Sequence, residues 1–173
     1  MPLKDVLREK IEAHRPRTTK LVKQHGDVKI GEVTIAQAIG GARGVRCLVT
    51  DISYLDPEEG IRFRGMTIPE VMEALPRPKG KDFPYVEAFW YLLLTGDVPT
   101  EAQALEVVED FKARSAVPQY VIDLLRTLPR DSHPMAMFSA AIVAMQREST
   151  FAKNYTENYD RMTAWEYMYE ESN

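Results

Sequence analysis

Prolines and glycines divide the sequence after Thr67 into a series of apolar segments with helical spacing. Proline fits the first turn of a helix but disrupts its interior, and glycine commonly follows a helix end. The pattern therefore predicts several short helices, and Thr100 is a predicted N-cap. They cover residues 68–75, 85–94, 99–115, 118–128 and 134–145, with a last helix for which Thr163 is the predicted N-cap. We expect a mainly α fold from Thr67 onward.

The segment Pro134–Met145, with the sequence PMAMFSAAIVAM, is the most apolar of these helices. It has no polar face, and its many small side chains permit close approach of a second helix. We therefore expect this helix to occupy a central position. Ser132 or His133 would cap its N terminus, and Pro134 suits the first turn.

The first 64 residues carry weaker signals. Apolar residues between Leu3 and Ile11 recur at helical spacing and predict an amphipathic helix that Arg15-Pro16-Arg17 ends. Alternating apolar residues between Val28 and Ile35 predict a short strand pair or an extended segment, and residues 45–54 are rich in β-branched side chains. The sequence thus predicts a small β element within residues 28–64.

The stretch Ser53–Gly65, SYLDPEEGIRFRG, combines a turn signal with carboxylates and two arginines. Arg62 and Arg64 alternate with apolar neighbours, so we expect them to share one face of a strand. Ion pairing within the segment is favoured over substrate binding. The carboxylates available for it are those of Asp56, Glu58 and Glu59.

Charge and cysteine content exclude several classes of protein. The 173 residues carry a formal net charge of −4, which gives no case for binding nucleic acid or an anionic membrane surface. The one cysteine, Cys47, allows no internal disulfide and no cysteine-based metal site, and we expect it to be a buried, inert thiol. No apolar run reaches the ~18 residues typical of a membrane span.

The three histidines show no metal-ligand spacing, so the sequence predicts no metal site. His133 stands directly before a proline at a helix start, where a structural role is favoured over a catalytic one. His14 and His25 lie in polar surroundings and are expected at the surface.

The N-terminal residues have the pattern of neither a secretory signal nor a transit peptide, because acidic residues stand among the basic ones and no long apolar run is present. A single cysteine fits a reducing compartment. We therefore expect the bacterial cytoplasm, or the mitochondrial matrix after processing if the protein is eukaryotic.

Six segments, in order, resemble the citrate synthase family, in the dimeric type found in mitochondria and some bacteria. They are Gly40–Gly65, Ile68-Pro69-Glu70, FWYLLLTGDVPT at Phe89–Thr100, SHPMAMFSAAI at Ser132–Ile142, FAKNY at Phe151–Tyr155 and RMTAWEYMYE at Arg161–Glu170. The resemblance implies a multi-helical citrate-synthase-like fold with a small N-terminal β element, incomplete in this chain. Residues 1–173 would form the N-terminal part of the large helical domain, without its remainder and without the small domain.

The resemblance also implies an acyltransferase that condenses acetyl-CoA with oxaloacetate to give citrate and CoA. The family uses a carboxylate base and two histidines for this reaction, all in the later part of its chains. We therefore assign no catalytic residue here and expect these 173 residues alone to be inactive. No cofactor is expected, because the coenzyme A thioester is a substrate.

Two arginines match family positions that contact coenzyme A phosphate. Arg43 lies in GGARG, and Arg161 precedes TAWE and is reached in the family from the partner subunit. A guanidinium offers bidentate hydrogen bonds to phosphate and stays charged at working pH. The alternative for each is an exposed, solvated arginine.

The resemblance further implies a homodimer, formed through the Pro134–Met145 helix. Two other functions remain open. One is a 2-methylcitrate synthase that uses propionyl-CoA, and the other is a short, non-catalytic relative that binds acyl-CoA or dimerises.

Overall fold

The computed structural model describes residues 1–42, 44–45, 48–56, 58–157 and 159–172. They form two compact units, residues 1–107 and 108–173. The first unit contains α1 (Leu3–His25), α2 (Ile35–Ile39), β1 (Ser53–Asp56), β2 (Gly60–Phe63), β3 (Met66–Thr67), α3 (Ile68–Ala74), α4 (Val86–Thr95) and the start of α5 (Glu101–Arg114). The second contains α6 (Gln119–Thr127), α7 (Pro134–Met145), a 3₁₀ turn (Gln146–Glu148), α8 (Thr150–Glu157) and α9 (Ala164–Ser172). The expected mainly α fold with a small β element is confirmed.

The helix boundaries after Thr67 follow from local capping. Thr67 and Glu70 form a capping box at the start of α3. The hydroxyl of Thr100 accepts a hydrogen bond from the N–H of Gln103 at 3.3 Å, which confirms it as the cap of α5. Nδ1 of His133 accepts one from the N–H of Met135 at 3.2 Å, so the structural role of His133 is confirmed as well.

The β element is a three-stranded antiparallel sheet in the order β1-β2-β3, with Ser53 opposite Phe63 and Arg62 opposite Thr67. At the β1–β2 turn the carboxylate of Asp56 accepts hydrogen bonds from the N–H groups of Glu58 and Glu59, at 2.9 and 3.0 Å. This side-chain bonding to the backbone closes the hairpin.

The core of the first unit lies between α3, α4 and α5. Leu92 and Ala104 are fully buried there, together with Val71, Leu75 and Ala88. Phe63 of β2 meets Phe89 of α4 edge to face, with ring centroids 4.9 Å apart. The sheet therefore contributes its inner face to the same core as the helices.

Arg64 joins the end of the sheet to the end of α4. It adopts a left-handed backbone conformation, with φ of 49°, directly after β2. Its Nε donates to the carbonyl of Leu93 at 3.1 Å and its Nη2 to that of Leu94 at 3.2 Å. Its Nη1 lies 3.0 Å from Oδ1 of Asp51. The guanidinium thus satisfies carbonyls that a helix C terminus leaves without partners.

The expectation that Arg62 and Arg64 share a strand face was therefore wrong. β2 ends at Phe63, and the left-handed turn at Arg64 directs its side chain to α4 instead of to the hairpin carboxylates. Arg62 does pair as expected, with its Nε 2.9 Å from Oε2 of Glu59.

In the second unit, α6 and α7 pack together, and so do α8 and α9. Val121 of α6 is fully buried, and the hydroxyl of Tyr120 donates to the carbonyl of Ala144 at 3.2 Å. Glu171 near the end of α9 accepts hydrogen bonds from the hydroxyl of Ser149 and the N–H of Phe151, at the start of α8. One carboxylate therefore caps α8 from the neighbouring helix.

In the N-terminal region, the predicted helix end at Arg15-Pro16-Arg17 was wrong, and the strand pair predicted as one alternative for Val28–Ile35 does not form. α1 continues through Pro16 to His25. Pro16 cannot donate to the carbonyl of Glu12, and both residues are exposed, so the missing hydrogen bond lies at the surface. Residues 28–34 have no regular secondary structure. Thr34 and Gln37 form a capping box, so the apolar residue Ile35 begins α2 instead of extending a strand.

The expected central position of α7 is also not observed. No described residue of α7 is buried, although the helix has the predicted bounds. Within the described residues, no helix is both long and apolar enough to cross a membrane.

Replacing Arg64 with methionine should lower the free energy of unfolding by about 2 kcal/mol, because the partly buried carbonyls of Leu93 and Leu94 lose their donor. Urea denaturation of the 173-residue protein followed by circular dichroism measures this change. Arg126→Met is the matched control, since the side chain of Arg126 is 71% exposed and forms an ion pair with Asp123 on the surface of the same helix. A loss for Arg64→Met no larger than that of the control would contradict the assigned role.

Candidate functional site

A tight left-handed turn follows α2 and flanks Arg43. Gly41, Ala42 and Gly44 have φ values of 77°, 59° and 71°, and the N–H of Ala42 donates to the carbonyl of Gln37 at 2.8 Å. A left-handed conformation costs a residue with a Cβ about 1–2 kcal/mol, so glycine suits the two outer positions. The described residues here are largely exposed. Arg43 itself lies outside the described residues, and so does Cys47, for which a buried thiol was expected.

Arg161 lies in the turn that leads into α9. Its side chain is exposed and makes no hydrogen bond or ion pair with another described residue. The carboxylate of the preceding residue, Asp160, accepts a hydrogen bond from the N–H of Met162 at 2.8 Å. Asp160 was not recognised from the sequence, where Thr163 was expected to cap α9, although Asp is a common residue at such turns.

The two predicted site residues therefore have different outcomes. The exposed position of Arg161 fits a ligand contact, and it equally fits a solvated arginine. Because Arg43 lies outside the described residues, the structure brings no second predicted contact to Arg161. The assignment of both residues to coenzyme A stays a prediction.

The exposed apolar surface of α7 is the other candidate functional feature. Phe138, Ile142 and Val143 are more than half exposed, as is Met135 one turn earlier. Helical spacing places these four side chains on one side of α7, here called the α7 face. A cluster of large apolar side chains on the surface is typical of a contact with another molecule.

Four charged groups of Ser53–Gly65 have structural partners, namely those of Asp56, Glu59, Arg62 and Arg64. Hydrogen bonds from the backbone at Glu59 and Glu58 lower the pKa of Asp56 below its ordinary value. The hydrogen bond from Arg62 lowers the pKa of Glu59 in the same way. Each carboxylate is thus stabilised in its charged form, which suits a turn or an ion pair. A general base that works near neutral pH needs the opposite shift.

Each of the three histidines has an exposed or a capping position. His14 and His25 are exposed, as expected, and His133 caps α7. Among the described residues, no group of three or more His, Cys, Asp or Glu side chains is arranged to hold a metal ion.

Known proteins similar to this chain agree on one family. The sequence pattern of the family described as "Citrate synthase, C-terminal domain" matches residues 41–170. The chain belongs to the citrate synthase family. It is 48% identical over 170 residues to the mitochondrial citrate synthase of Saccharomyces cerevisiae, a match covering 98% of this chain and 36% of that protein.

Other citrate synthases match to a similar degree. The probable mitochondrial citrate synthase of Glossina morsitans morsitans is 46% identical over 98% of this chain and 37% of its own length. The peroxisomal citrate synthase of Saccharomyces cerevisiae is 44% identical over the same shares. This chain therefore spans slightly more than a third of the length of these relatives. Its expected place in the N-terminal part of the large helical domain stays a prediction.

The lowered pKa of Asp56 predicts a pH-dependent contribution to stability. Because the folded protein favours the charged carboxylate, this contribution is fully present above the ordinary pKa of about 4, and it is lost as the pH falls from there through the lowered pKa of the folded protein. The melting temperature of Asp56→Asn should therefore lie below that of the wild type at pH 7, and the difference should shrink below pH 4. Ser53→Ala, which removes no titrating group, is the control. A difference that stays constant from pH 7 to pH 3 would contradict the prediction.

Proposed function

We propose that these residues serve in an enzyme that condenses acetyl-CoA with oxaloacetate and releases citrate and CoA. The observation that supports this most strongly is the identity of 44–48% to proteins named citrate synthase over 98% of this chain. Because the matches cover only about 36% of those relatives, we assign the activity to a protein of their length.

We propose that the reacting groups lie outside these 173 residues. The condensation needs a carboxylate that can accept a proton from the methyl group of acetyl-CoA. The carboxylates of Asp56, Glu59 and Glu70 are all held in the charged form by hydrogen bonds, with lowered pKa values. Their roles in a turn, an ion pair and a helix cap support assigning no catalytic residue here.

The contribution we propose for this chain is binding coenzyme A through Arg43 and Arg161. For Arg161, the support is an exposed guanidinium without an acidic partner among the described residues. For Arg43, it is the tight turn at Gly41 and Gly44, which would let backbone approach a ligand closely. The coenzyme A thioester is then a substrate. The overall reaction transfers an acyl group and hydrolyses the thioester without net oxidation, so no redox cofactor is proposed.

We further propose that the protein is a homodimer in which the α7 face contributes to the subunit contact. The face consists of Met135, Phe138, Ile142 and Val143 and is continuous along α7. Small residues beside it would let a second helix approach closely.

The relatives' names bear on location. Among those compared, most are mitochondrial and one is peroxisomal, and none supports the bacterial cytoplasm. We therefore favour the mitochondrial matrix. The relatives' names also lead us to propose acetyl-CoA instead of propionyl-CoA as the substrate, because all of them are named citrate synthases.

The activity test compares two proteins, the 173-residue chain and a protein of the relatives' length that contains it. We expect only the longer protein to release CoA from acetyl-CoA with oxaloacetate, measured as free thiol. Replacing acetyl-CoA with propionyl-CoA distinguishes a 2-methylcitrate synthase, which would turn over both or favour the second. Turnover by the 173-residue chain would refute the proposal that it contains no catalytic residue. If the longer protein released no CoA from either thioester, the proposed activity would be refuted.

The α7 face should cause self-association, because burying large apolar side chains between two chains is favourable. We expect the wild-type chain to sediment as a dimer or larger species, and Val143→Glu to shift it towards the monomer. Val86→Glu is the matched control, because Val86 is 75% exposed and Val143 is 73% exposed. A wild-type chain that sediments as a single monomer would count against the proposal.

A further inference from the structure

The turn that carries Arg161 is closed by the side chain of Asp160. Oδ1 of Asp160 accepts a hydrogen bond from the N–H of Met162 at 2.8 Å. Oδ2 accepts one from the hydroxyl of Thr163 at 3.3 Å. Both bonds span Arg161, because their donors follow it in the chain and their acceptor precedes it.

The backbone of Asp160 bonds across the same residue. Its carbonyl accepts hydrogen bonds from the N–H of Thr163 at 3.2 Å and of Ala164 at 2.9 Å. Ala164 is the first residue of α9 and is buried. The backbone on both sides of Arg161 is therefore tied to a helix with a packed first residue, whereas the guanidinium itself is exposed.

This arrangement suits a binding side chain. Immobilising a flexible segment on binding costs free energy, and a backbone that is already fixed avoids part of that cost. Met162, which follows Arg161, is more than half exposed. The hydrogen bonds that Asp160 accepts therefore contribute directly to the geometry of the turn at Arg161.

We propose that Asp160 is a positioning residue for the coenzyme A contact of Arg161, an inference that rests on the proposed function. Asp160 does not touch the ligand. Its carboxylate fixes the backbone of the turn from which the Arg161 side chain extends. Asparagine could do the same, because its amide oxygen also accepts a hydrogen bond from a backbone N–H.

Steady-state kinetics of the longer protein tests this with three variants. Arg161→Ala should raise the KM for acetyl-CoA about tenfold or more, since a charged hydrogen bond is lost. Asp160→Ala should raise it about threefold to tenfold, in line with the loss of a capping side chain. Asp160→Asn should restore a KM close to that of the wild type. In all three, kcat should stay within about twofold, because only substrate binding is weakened.

The control is Thr100→Ala, which removes the cap of α5 in the first unit and should leave the KM for acetyl-CoA unchanged. An unchanged KM in Arg161→Ala would overturn the coenzyme A contact itself, and the positioning role with it. A raised KM in Arg161→Ala with a wild-type KM in Asp160→Ala would overturn only the positioning role. Equal rises in Asp160→Ala and Asp160→Asn would also overturn it, because charge instead of the hydrogen bond to Met162 would then be responsible.

Discussion

The contact between the Arg64 guanidinium and the last carbonyls of α4 joins the end of the sheet to the helical core of the first unit. α4 supplies Ala88 and Leu92, which are fully buried, so the position of its C terminus determines how the core packs. The carbonyls at that end need donors, and a cation there also opposes the negative end of the helix dipole. Since only 14% of the Arg64 side chain is exposed, its charge needs these carbonyls and Asp51 as partners as well. The guanidinium and the carbonyls each supply the hydrogen-bond partner that the other lacks, and their contact couples the end of the sheet to the helical core.

The same contact changes how the segment Ser53–Gly65 is understood. This segment carries much of the resemblance to citrate synthases, and its many charged residues suggest a catalytic or binding site. In the structure, Asp56 closes a hairpin, Arg62 pairs with Glu59, and Arg64 bonds to α4. Charged groups that satisfy one another in this way are not available to a substrate. The groups that remain available lie on exposed turns, as Arg161 does, where a ligand can reach a side chain that has no partner among the described residues.

The sequence predicted most of the helical part because its signals are local. Thr67 with Glu70, Thr100 with Gln103, and His133 before Pro134 each settle a helix start within one turn. The errors arose where the outcome depends on distant or solvent groups. Alternating apolar residues around Gly31 form a sheet only with a partner strand, and the exposure that lets α1 tolerate Pro16 is not evident from the sequence. Likewise, the partner of Arg64 is 29 residues away in the chain.

α7 shows that an apolar sequence can predict burial of a helix without identifying what covers it. Its composition predicted a central helix, and the helix forms with the predicted bounds, yet its apolar side chains remain exposed. An apolar sequence indicates that a surface is buried away from water in the functional state. The same composition is expected for a core and for a subunit contact. The α7 face has no charged residue, and the subunit contact proposed above would bury it. The apolar composition of α7 therefore agrees with that proposal, whereas the described residues by themselves leave the face uncovered.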